Sequence, residues 1–256
     1  EYFIADCHIH GPEIDGNFMS WVPLFNNYDE YLSYLLKNNI QVAVQSVGCN
    51  IQDSNHLIVA NDHCLELAET TKLKIIPGCI LHPEFPEANE EIVAKFKSAG
   101  YFWCGELCPY LADWSLEHDK VKAMFSLLSD NGFILQLHCQ EVEAMARIVD
   151  SFPELPLVVS HLGGSRDRIL QNIGFARNYP TVYLDICGSG HERLGMLEYA
   201  VNAGIEDQLF YGSDFPINEP GTPIVRVING LFSDQVKRKI LGENLRSLMQ
   251  KHGMVI

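Results

Sequence analysis

The sequence predicts an α/β protein folded as a single (β/α)8 TIM barrel, and two observations lead to this fold. Short apolar runs alternate with longer amphipathic segments eight times along the 256 residues, which is the pattern of a parallel barrel whose strands are covered by helices. The long connections follow apolar runs, whereas the connections that lead back into them are short. Because the loops that leave the strands meet at one mouth of a barrel, we expect the active site at the C-terminal ends of the strands.

Eight runs of apolar and β-branched residues are the predicted strands. They cover residues 2–7, 40–47, 73–80, 101–107, 133–138, 155–160, 181–186 and 208–212. The segments between them repeat apolar residues at three- and four-residue steps, as in 28–36 and 56–68, and are predicted helices. A doubly wound open sheet is the alternative, but no glycine-rich phosphate loop follows the first run. No linker or change of composition divides the chain, so we expect one domain over residues 1–256.

Composition and charge narrow the class of protein. The chain is 47% hydrophobic and 20% charged, as globular proteins are, and its 18 Lys and Arg against 33 Asp and Glu disfavour a nucleic-acid partner. No apolar run approaches the roughly 20 residues of a membrane span, and no signal-peptide pattern opens the sequence. The cysteines lie mostly in apolar runs and are expected to be reduced core thiols. We therefore expect a cytoplasmic protein with a small-molecule substrate and without a membrane partner, and we leave homo-oligomerisation open.

The pair His8 and His10 at the end of the first predicted strand is a candidate metal-binding motif. Side chains two apart on a strand share one face, so both imidazoles can reach a single metal ion at roughly 2.0–2.1 Å. Taken alone, two such histidines are more often structural. The preceding Cys7 and the intervening Ile9 are expected on the opposite face, packed against the helices.

Histidines and carboxylates occur at the ends of five predicted strands. The set comprises His8, His10, Glu106, His138, His161 and Asp214. Each member alone has an ordinary structural interpretation, such as a salt bridge for Glu106 or a helix cap for Asp214. Their joint placement at one mouth predicts a divalent-metal site, because imidazole nitrogens and carboxylate oxygens are the ligands that such ions take in proteins.

Several local phrases resemble the amidohydrolase superfamily, in particular its amidohydrolase-related (family 2) branch. The phrases are ILHP at 80–83, VSHLGG at 159–164, YLDICG at 183–188, FYGSDFP at 210–216 and ILGENLR at 240–246. The resemblance implies one divalent ion, expected to be zinc, held by four residues. These are His8, His10, His138 and Asp214. It further implies that His161 binds a second ion or contacts the substrate.

Glu106 stands where many relatives of this branch carry a lysine. An ionised glutamate has two acceptor oxygens and could bridge two ions. It could equally accept a hydrogen bond from a ligating histidine and fix the tautomer of that ring. Both roles stay open, and with them the choice between one metal ion and two.

The chemistry favoured by the sequence is hydrolysis of an amide, lactone, ester or related bond of a small molecule. A divalent ion lowers the pKa of bound water to roughly 7. Asp214 would then be both ligand and general base, while His161 or the ion polarises the carbonyl. The alternative is metal-dependent nonoxidative decarboxylation of a small unsaturated or aromatic acid. A binding barrel without catalysis and a nuclease are weaker alternatives.

Two further features near the mouth carry expectations. The loop after the first strand contains Phe18, Trp21 and Phe25 and could close over the mouth as a lid. Arg166 and Arg193 each follow a strand end, where a guanidinium could bind a substrate carboxylate, although surface arginines are commoner than such anion clamps.

Overall fold

The fold is a closed barrel of eight parallel strands. The structure is a computed structural model, which describes residues 1–47, 51–69, 72–112, 114–139 and 141–256. The strands are β1 (Ala5–His10), β2 (Val42–Ser46), β3 (Lys74–Pro77), β4 (Trp103–Leu107), β5 (Ile134–Leu137), β6 (Leu157–Val159), β7 (Val182–Asp185) and β8 (Leu209–Phe210). They form two arcs, β1 to β3 and β4 to β8, in which every neighbouring pair is parallel.

Backbone hydrogen bonds join the two arcs on both sides. Between β3 and β4 the amide of Cys79 donates to the carbonyl oxygen of Trp103 at 2.9 Å. Between β1 and the end of β8 the amide of Cys7 donates to the carbonyl oxygen of Tyr211 at 3.0 Å. These bonds close the sheet into a barrel, and the predicted fold is confirmed.

Helices surround the barrel along its outside and at its two ends. They are α1 (Tyr28–Lys37), α2 (Ser54–Leu67), α3 (Pro86–Ser98), α4 (Pro109–Ala112), α5 (Asp119–Asp130), α6 (Val142–Ser151), α7 (Arg166–Asn178), α8 (Met196–Asn202), α9 (Gly221–Ile228), α10 (Asp234–Arg238) and α11 (Asn244–Lys251). A 3₁₀ turn spans Glu206–Gln208 and a π-helical turn spans Lys239–Glu243. Side-chain caps begin several helices, as at Asn27 and Asp53, and satisfy amides of the first turn. Among the residues described, no helix combines the length and apolarity of a membrane span.

Two apolar layers fill the protein. The larger layer lies between the strands and the helices, and Ile9 packs there, as predicted. The smaller layer joins residues from seven strands, such as Val44, Ile76 and Val158, with α11, and therefore fills the inside of the barrel.

Cys7 packs in the inner layer, so its predicted position against the helices is wrong. The reason is an irregularity of β1, where Asp6 pairs with Ala43 but Ile9 pairs with Gln45. The extra residue of such a bulge breaks the strict alternation of sides.

Candidate metal centre

Four polar groups converge at the mouth of the barrel. Nε2 of His8 lies 3.2 Å from Nε2 of His10, which in turn lies 3.1 Å from Oδ1 of Asp214. Oε2 of Glu106 lies 3.4 Å from Nε2 of His8 and 3.8 Å from Nε2 of His10. Ligand atoms bound to one ion at about 2.0–2.2 Å lie about 3–3.5 Å apart. The ligand atoms of His8, His10 and Glu106 all lie within 4.8 Å of one another, an arrangement that suits a shared divalent ion, and Asp214 adjoins them beside His10.

Glu106 also faces two further histidines with its other oxygen. Oε1 lies 3.2 Å from Nδ1 of His138 and 3.6 Å from Nε2 of His161. This oxygen is buried and makes no hydrogen bond to a described residue, which is costly for a carboxylate unless a cation or donor satisfies it. The structure thus brings all six predicted residues together and places Glu106 between His8 and His10 on one side and His138 and His161 on the other.

The charges of this cluster suit a cation. Burial raises the pKa of the Glu106 carboxyl, but the neighbouring His8 and His138 outweigh burial and hold that pKa well below its usual range. Burial also raises the pKa of Asp214, and the hydrogen bond with His10 and the charge of His8 outweigh it. Burial lowers the pKa of His161. Burial lowers the pKa of His8, but Glu106 and Asp185 outweigh burial and raise that pKa well above its usual range. A bound cation would take the place of the His8 proton, because metal binding to imidazole releases protons.

Asp185, at the end of β7, fixes the orientation of His8. Its Oδ2 lies 2.7 Å from Nδ1 of His8, so Nδ1 carries the proton and Nε2 offers its lone pair to the cluster. Its Oδ1 accepts from the amide of Cys187 at 2.8 Å. A side chain at Gly212 would place its Cβ 2.2 Å from Oδ1 of Asp185, so this glycine makes room for the carboxylate. Asp185 was not among the predicted site residues, although an acidic residue that ends an apolar strand is a signal of such a role.

Cys187 joins His161 to the same carboxylate. Its thiol lies 2.9 Å from Oδ2 of Asp185 and 3.1 Å from Nδ1 of His161. Since the single thiol proton is donated to the carboxylate, the sulfur accepts the N–H of His161. The Nε2 of His161 then presents its lone pair toward Glu106, and an ion between them would satisfy both groups.

Replacing Asp185 with asparagine is expected to weaken metal binding about 10- to 100-fold. Both carboxylate oxygens accept hydrogen bonds, from His8, the Cys187 amide and the Cys187 thiol. An amide supplies only one acceptor oxygen, so the Cys187 amide loses its acceptor in one orientation, and His8 and the Cys187 thiol lose theirs in the other. Calorimetric titration of the metal-free variant with Mn²⁺ or Zn²⁺ measures the effect. The exposed Asp167→Asn change is the control, and equal affinities of the two variants would contradict the prediction.

Two cluster residues have left-handed backbone conformations, with φ of 66° at His161 and 61° at Asp214. Such conformations cost of order 1–3 kcal/mol and persist where the surroundings enforce them. The amide of Asp214 donates to the carbonyl oxygen of His8 at 2.8 Å. The ends of β6 and β8 therefore turn sharply at the residues that carry the chemistry.

Gly188→Ala is expected to displace His161 and lower turnover at least about tenfold. A Cβ at this position would lie 2.4 Å from Nδ1 of His161, and the φ of 65° disfavours any side chain. Gly204→Ala is the matched control, because Gly204 has a similar φ of 81° and no atom within 4 Å of the added Cβ. Both variants should lose about 1–3 kcal/mol of stability. Only the first should lose activity, and equal activities would refute the contact with His161.

A cavity of about 260 Å³ opens over the cluster. His10, Glu106, His138, His161 and Asp214 line one part of it. Its other walls are largely apolar and include Met19, Ile51, Leu81, Leu107, Leu111 and Trp114. Tyr110, which sequence analysis did not single out, also lines it, with its hydroxyl 3.4 Å from Nδ1 of His138.

The aromatic residues of the expected lid and the two arginines expected to bind a carboxylate lie away from the cavity. Phe18 and Phe25 pack against Tyr31 of α1, and Trp21 is 85% exposed. Met19 is the part of this loop that reaches the cavity. Arg166 and Arg193 are exposed, pair with the adjacent Asp167 and Glu192, and do not line the described cavity. Neither arginine is placed to hold a carboxylate there.

Comparison with known proteins identifies structures of the same fold. A Staphylococcus aureus protein described as an amidohydrolase superimposes with a TM-score of 0.76 at 16% identity, covering 96% of this chain and 99% of the other. A dihydroxybenzoic acid decarboxylase from Polaromonas sp. JS666, with bound manganese and the inhibitor 2-nitroresorcinol, gives 0.72 at 14% identity, covering 98% and 97%.

A 5-carboxyvanillate decarboxylase from Novosphingobium aromaticivorans, with manganese and a methoxy-hydroxy-nitrobenzoic acid, gives a TM-score of 0.75 at 12% identity, covering 97% of each chain. The curated proteins contain no match. The family model described as Amidohydrolase (Amidohydro_2) matches residues 5–248, and it confirms the resemblance seen in the sequence. The chain therefore belongs to this amidohydrolase family.

Proposed function

We propose that this protein is a metal-dependent nonoxidative decarboxylase of a small aromatic or unsaturated carboxylic acid, the alternative of the sequence analysis. The observation that carries the proposal is the division of the cavity. Imidazoles and carboxylates occupy one part, and largely apolar side chains such as Leu81, Leu107 and Trp114 form the rest. A flat apolar ring fits the apolar walls while its carboxylate reaches the metal centre.

The similar structures support the same chemistry. The two decarboxylases named above contain manganese and a small substituted aromatic ligand. Their identity to this chain is low, so the support lies in a shared fold combined with a cavity of suitable shape. Manganese therefore joins zinc as the expected ion, and a set of two imidazoles with two carboxylates suits either.

The residues of the cluster have different proposed roles in the reaction. His8, His10, Glu106 and Asp214 would hold an ion, with His138 and His161 facing the other side of Glu106. The ion would supply a positive charge that binds the substrate carboxylate. When the carbon–carboxylate bond breaks, its electron pair stays on the ring carbon, carbon dioxide leaves, and the carbon takes a proton. Asp214, whose carboxyl is ionised in the resting site, is the group proposed to take that proton from solvent and pass it to the carbon. Asn218 donates to its Oδ2 at 2.9 Å and so orients Oδ1 toward the centre.

Hydrolysis, which the sequence favours, uses the same cluster and is the second candidate. The observation in its favour is the contact of Asp214 with His10 at 3.1 Å, which would also place this carboxylate to take a proton from an activated water.

Product analysis separates the two reactions. Metal-free protein is reloaded with Mn²⁺ or Zn²⁺ and incubated with hydroxybenzoic acids and with aryl esters, lactones and anilides. Decarboxylation predicts carbon dioxide and the decarboxylated arene in equal amounts, with one solvent deuterium in the arene formed in heavy water. Hydrolysis of an ester, lactone or amide without carbon dioxide from any acid would overturn the proposal. The Asp214→Asn variant is the control for background reaction.

A further inference from the structure

A second cavity, of about 270 Å³, lies behind the metal centre. His138 and His161 line both cavities and form a shared wall. The second cavity differs in character, because hydroxyl, amide, guanidinium and glycine backbone groups line it. We call it the polar pocket and define it by Ser160, Ser165, Arg168, Asn172 and Ser189.

Positive charge is concentrated on one side of the polar pocket. Ser165 caps the 13-residue helix α7 by accepting the amide of Arg168, so the positive end of the helix dipole borders the pocket. The guanidinium of Arg168 is partly buried, and one N–H donates to the carbonyl oxygen of Cys139 at 2.9 Å. Its other N–H groups make no hydrogen bond to a described residue.

Two buried polar atoms in the polar pocket lack partners among the described residues. The hydroxyl of Ser160 makes no hydrogen bond, although this residue is only 3% exposed. Oδ1 of Asn172 is likewise unpaired in a residue that is 2% exposed. The amide nitrogen of Asn172 donates to the carbonyl oxygen of Leu162, which leaves its oxygen as the acceptor. A buried unpaired group costs about 1–3 kcal/mol, so an occupant that satisfies both atoms is favoured.

Glycines bring the walls of the polar pocket close together. The amide of Gly163 donates to the carbonyl oxygen of Ser189 at 3.3 Å. A side chain at Gly190 would place its Cβ 2.5 Å from the carbonyl oxygen of Gly163, so only glycine allows this approach. The two loops that form this part of the wall are therefore bonded to each other.

We propose that the polar pocket binds a small oxyanion that carries one hydroxyl group, the chemistry shared by hydrogenphosphate and hydrogencarbonate. The negative oxygens would accept hydrogen bonds from Arg168 and Ser160 at the positive end of α7. The hydroxyl would donate to Oδ1 of Asn172, which a fully deprotonated anion could not satisfy. The site is distinct from the metal centre and does not depend on the proposed function.

Phosphate and sulfate test this site, because at pH 8 hydrogenphosphate and sulfate have the same charge and similar shape but only the first carries a proton. Calorimetric titration of the full chain should give a dissociation constant on the order of 1 mM for phosphate. Sulfate should bind at least tenfold more weakly. Hydrogencarbonate is titrated separately, and the tighter of the two hydroxyl-bearing anions identifies the source.

Variants assign the binding to the polar pocket. Arg168→Gln and Ser160→Ala should each weaken phosphate binding at least about tenfold. Arg166→Gln should leave it unchanged, since Arg166 lies on the same helix turn with an exposed side chain. Thermal unfolding verifies that all three variants fold. If Arg168→Gln does not fold, the phosphate affinity of the milder Ser160→Ala variant decides the test. Absence of phosphate and hydrogencarbonate binding, unchanged phosphate affinity in Ser160→Ala, or equal affinity for sulfate would overturn the proposal.

Discussion

Replacing both His8 and His10 with alanine is expected to abolish stoichiometric metal binding while the barrel stays folded. The two Nε2 atoms are half of the four groups that converge at the mouth, so the affinity for Mn²⁺ or Zn²⁺ should fall more than about 100-fold, beyond the loss of an outer partner. The closing hydrogen bonds of β1 use backbone groups and are retained. Metal analysis after dialysis, together with circular dichroism, measures both parts of this expectation.

The control for this double variant is the replacement of His56 and His252 by alanine. Both residues lie outside the metal centre, with hydrogen bonds to the Gln52 amide and the Gly132 carbonyl oxygen. The control protein should keep its metal. Retention of one equivalent of metal by the His8→Ala, His10→Ala protein would refute the assignment of this cluster.

Asp214→Asn is expected to leave most of the metal bound and to lower turnover by about 10²- to 10⁴-fold, the range of a lost general acid or base. Asparagine keeps an oxygen near the position of Oδ1, and its N–H₂ can donate to Asn218 once the Asn218 amide, which donates to Oδ2 in the parent, turns its own oxygen toward it. It cannot take up or release a proton at neutral pH. Turnover and metal content are measured on the same preparation.

The outcome of Asp214→Asn separates ligation from proton transfer. Loss of metal together with activity would show that the charge of Asp214 is needed for binding, because the other three groups would then be insufficient. Turnover within threefold of the parent would contradict its role as proton carrier. The exposed Asp150→Asn change controls for loss of one negative charge.

The barrel and the six cluster residues could be predicted from the sequence because both depend on the regular alternation of strands and helices. Strands buried on both sides are apolar runs, and in a barrel their ends meet at one mouth. His138 and His161 could therefore be assigned to the same site as His8 although more than a hundred residues separate them. The predicted runs extend beyond the observed strands, as 155–160 does beyond Leu157–Val159, because an apolar run marks burial and does not mark where the strand pairing begins and ends.

Other features depend on contacts that no local pattern encodes. Asp185 and Cys187 acquire their roles only when the end of β7 faces the end of β1 at the mouth of the barrel. The bulge that places Cys7 and Ile9 on different sides of β1 is a matter of pairing register. The direction of Arg166 could not be read from its place after β6, because the first turn of α7 points its side chain to solvent. The division of the cavity into apolar and polar parts depends on loops whose shape the sequence does not reveal.

The left-handed backbone at His161 and Asp214 has a consequence for engineering this protein. Of the residues other than glycine, Asn, Asp and His tolerate this conformation best, and the third such position in the described chain is Asn39. In a mutant library at positions 161 and 214, valine and isoleucine would destabilise the fold, because β-branched side chains disfavour the left-handed conformation. A library restricted to His, Asp, Asn and Gly would let activity be selected without interference from folding.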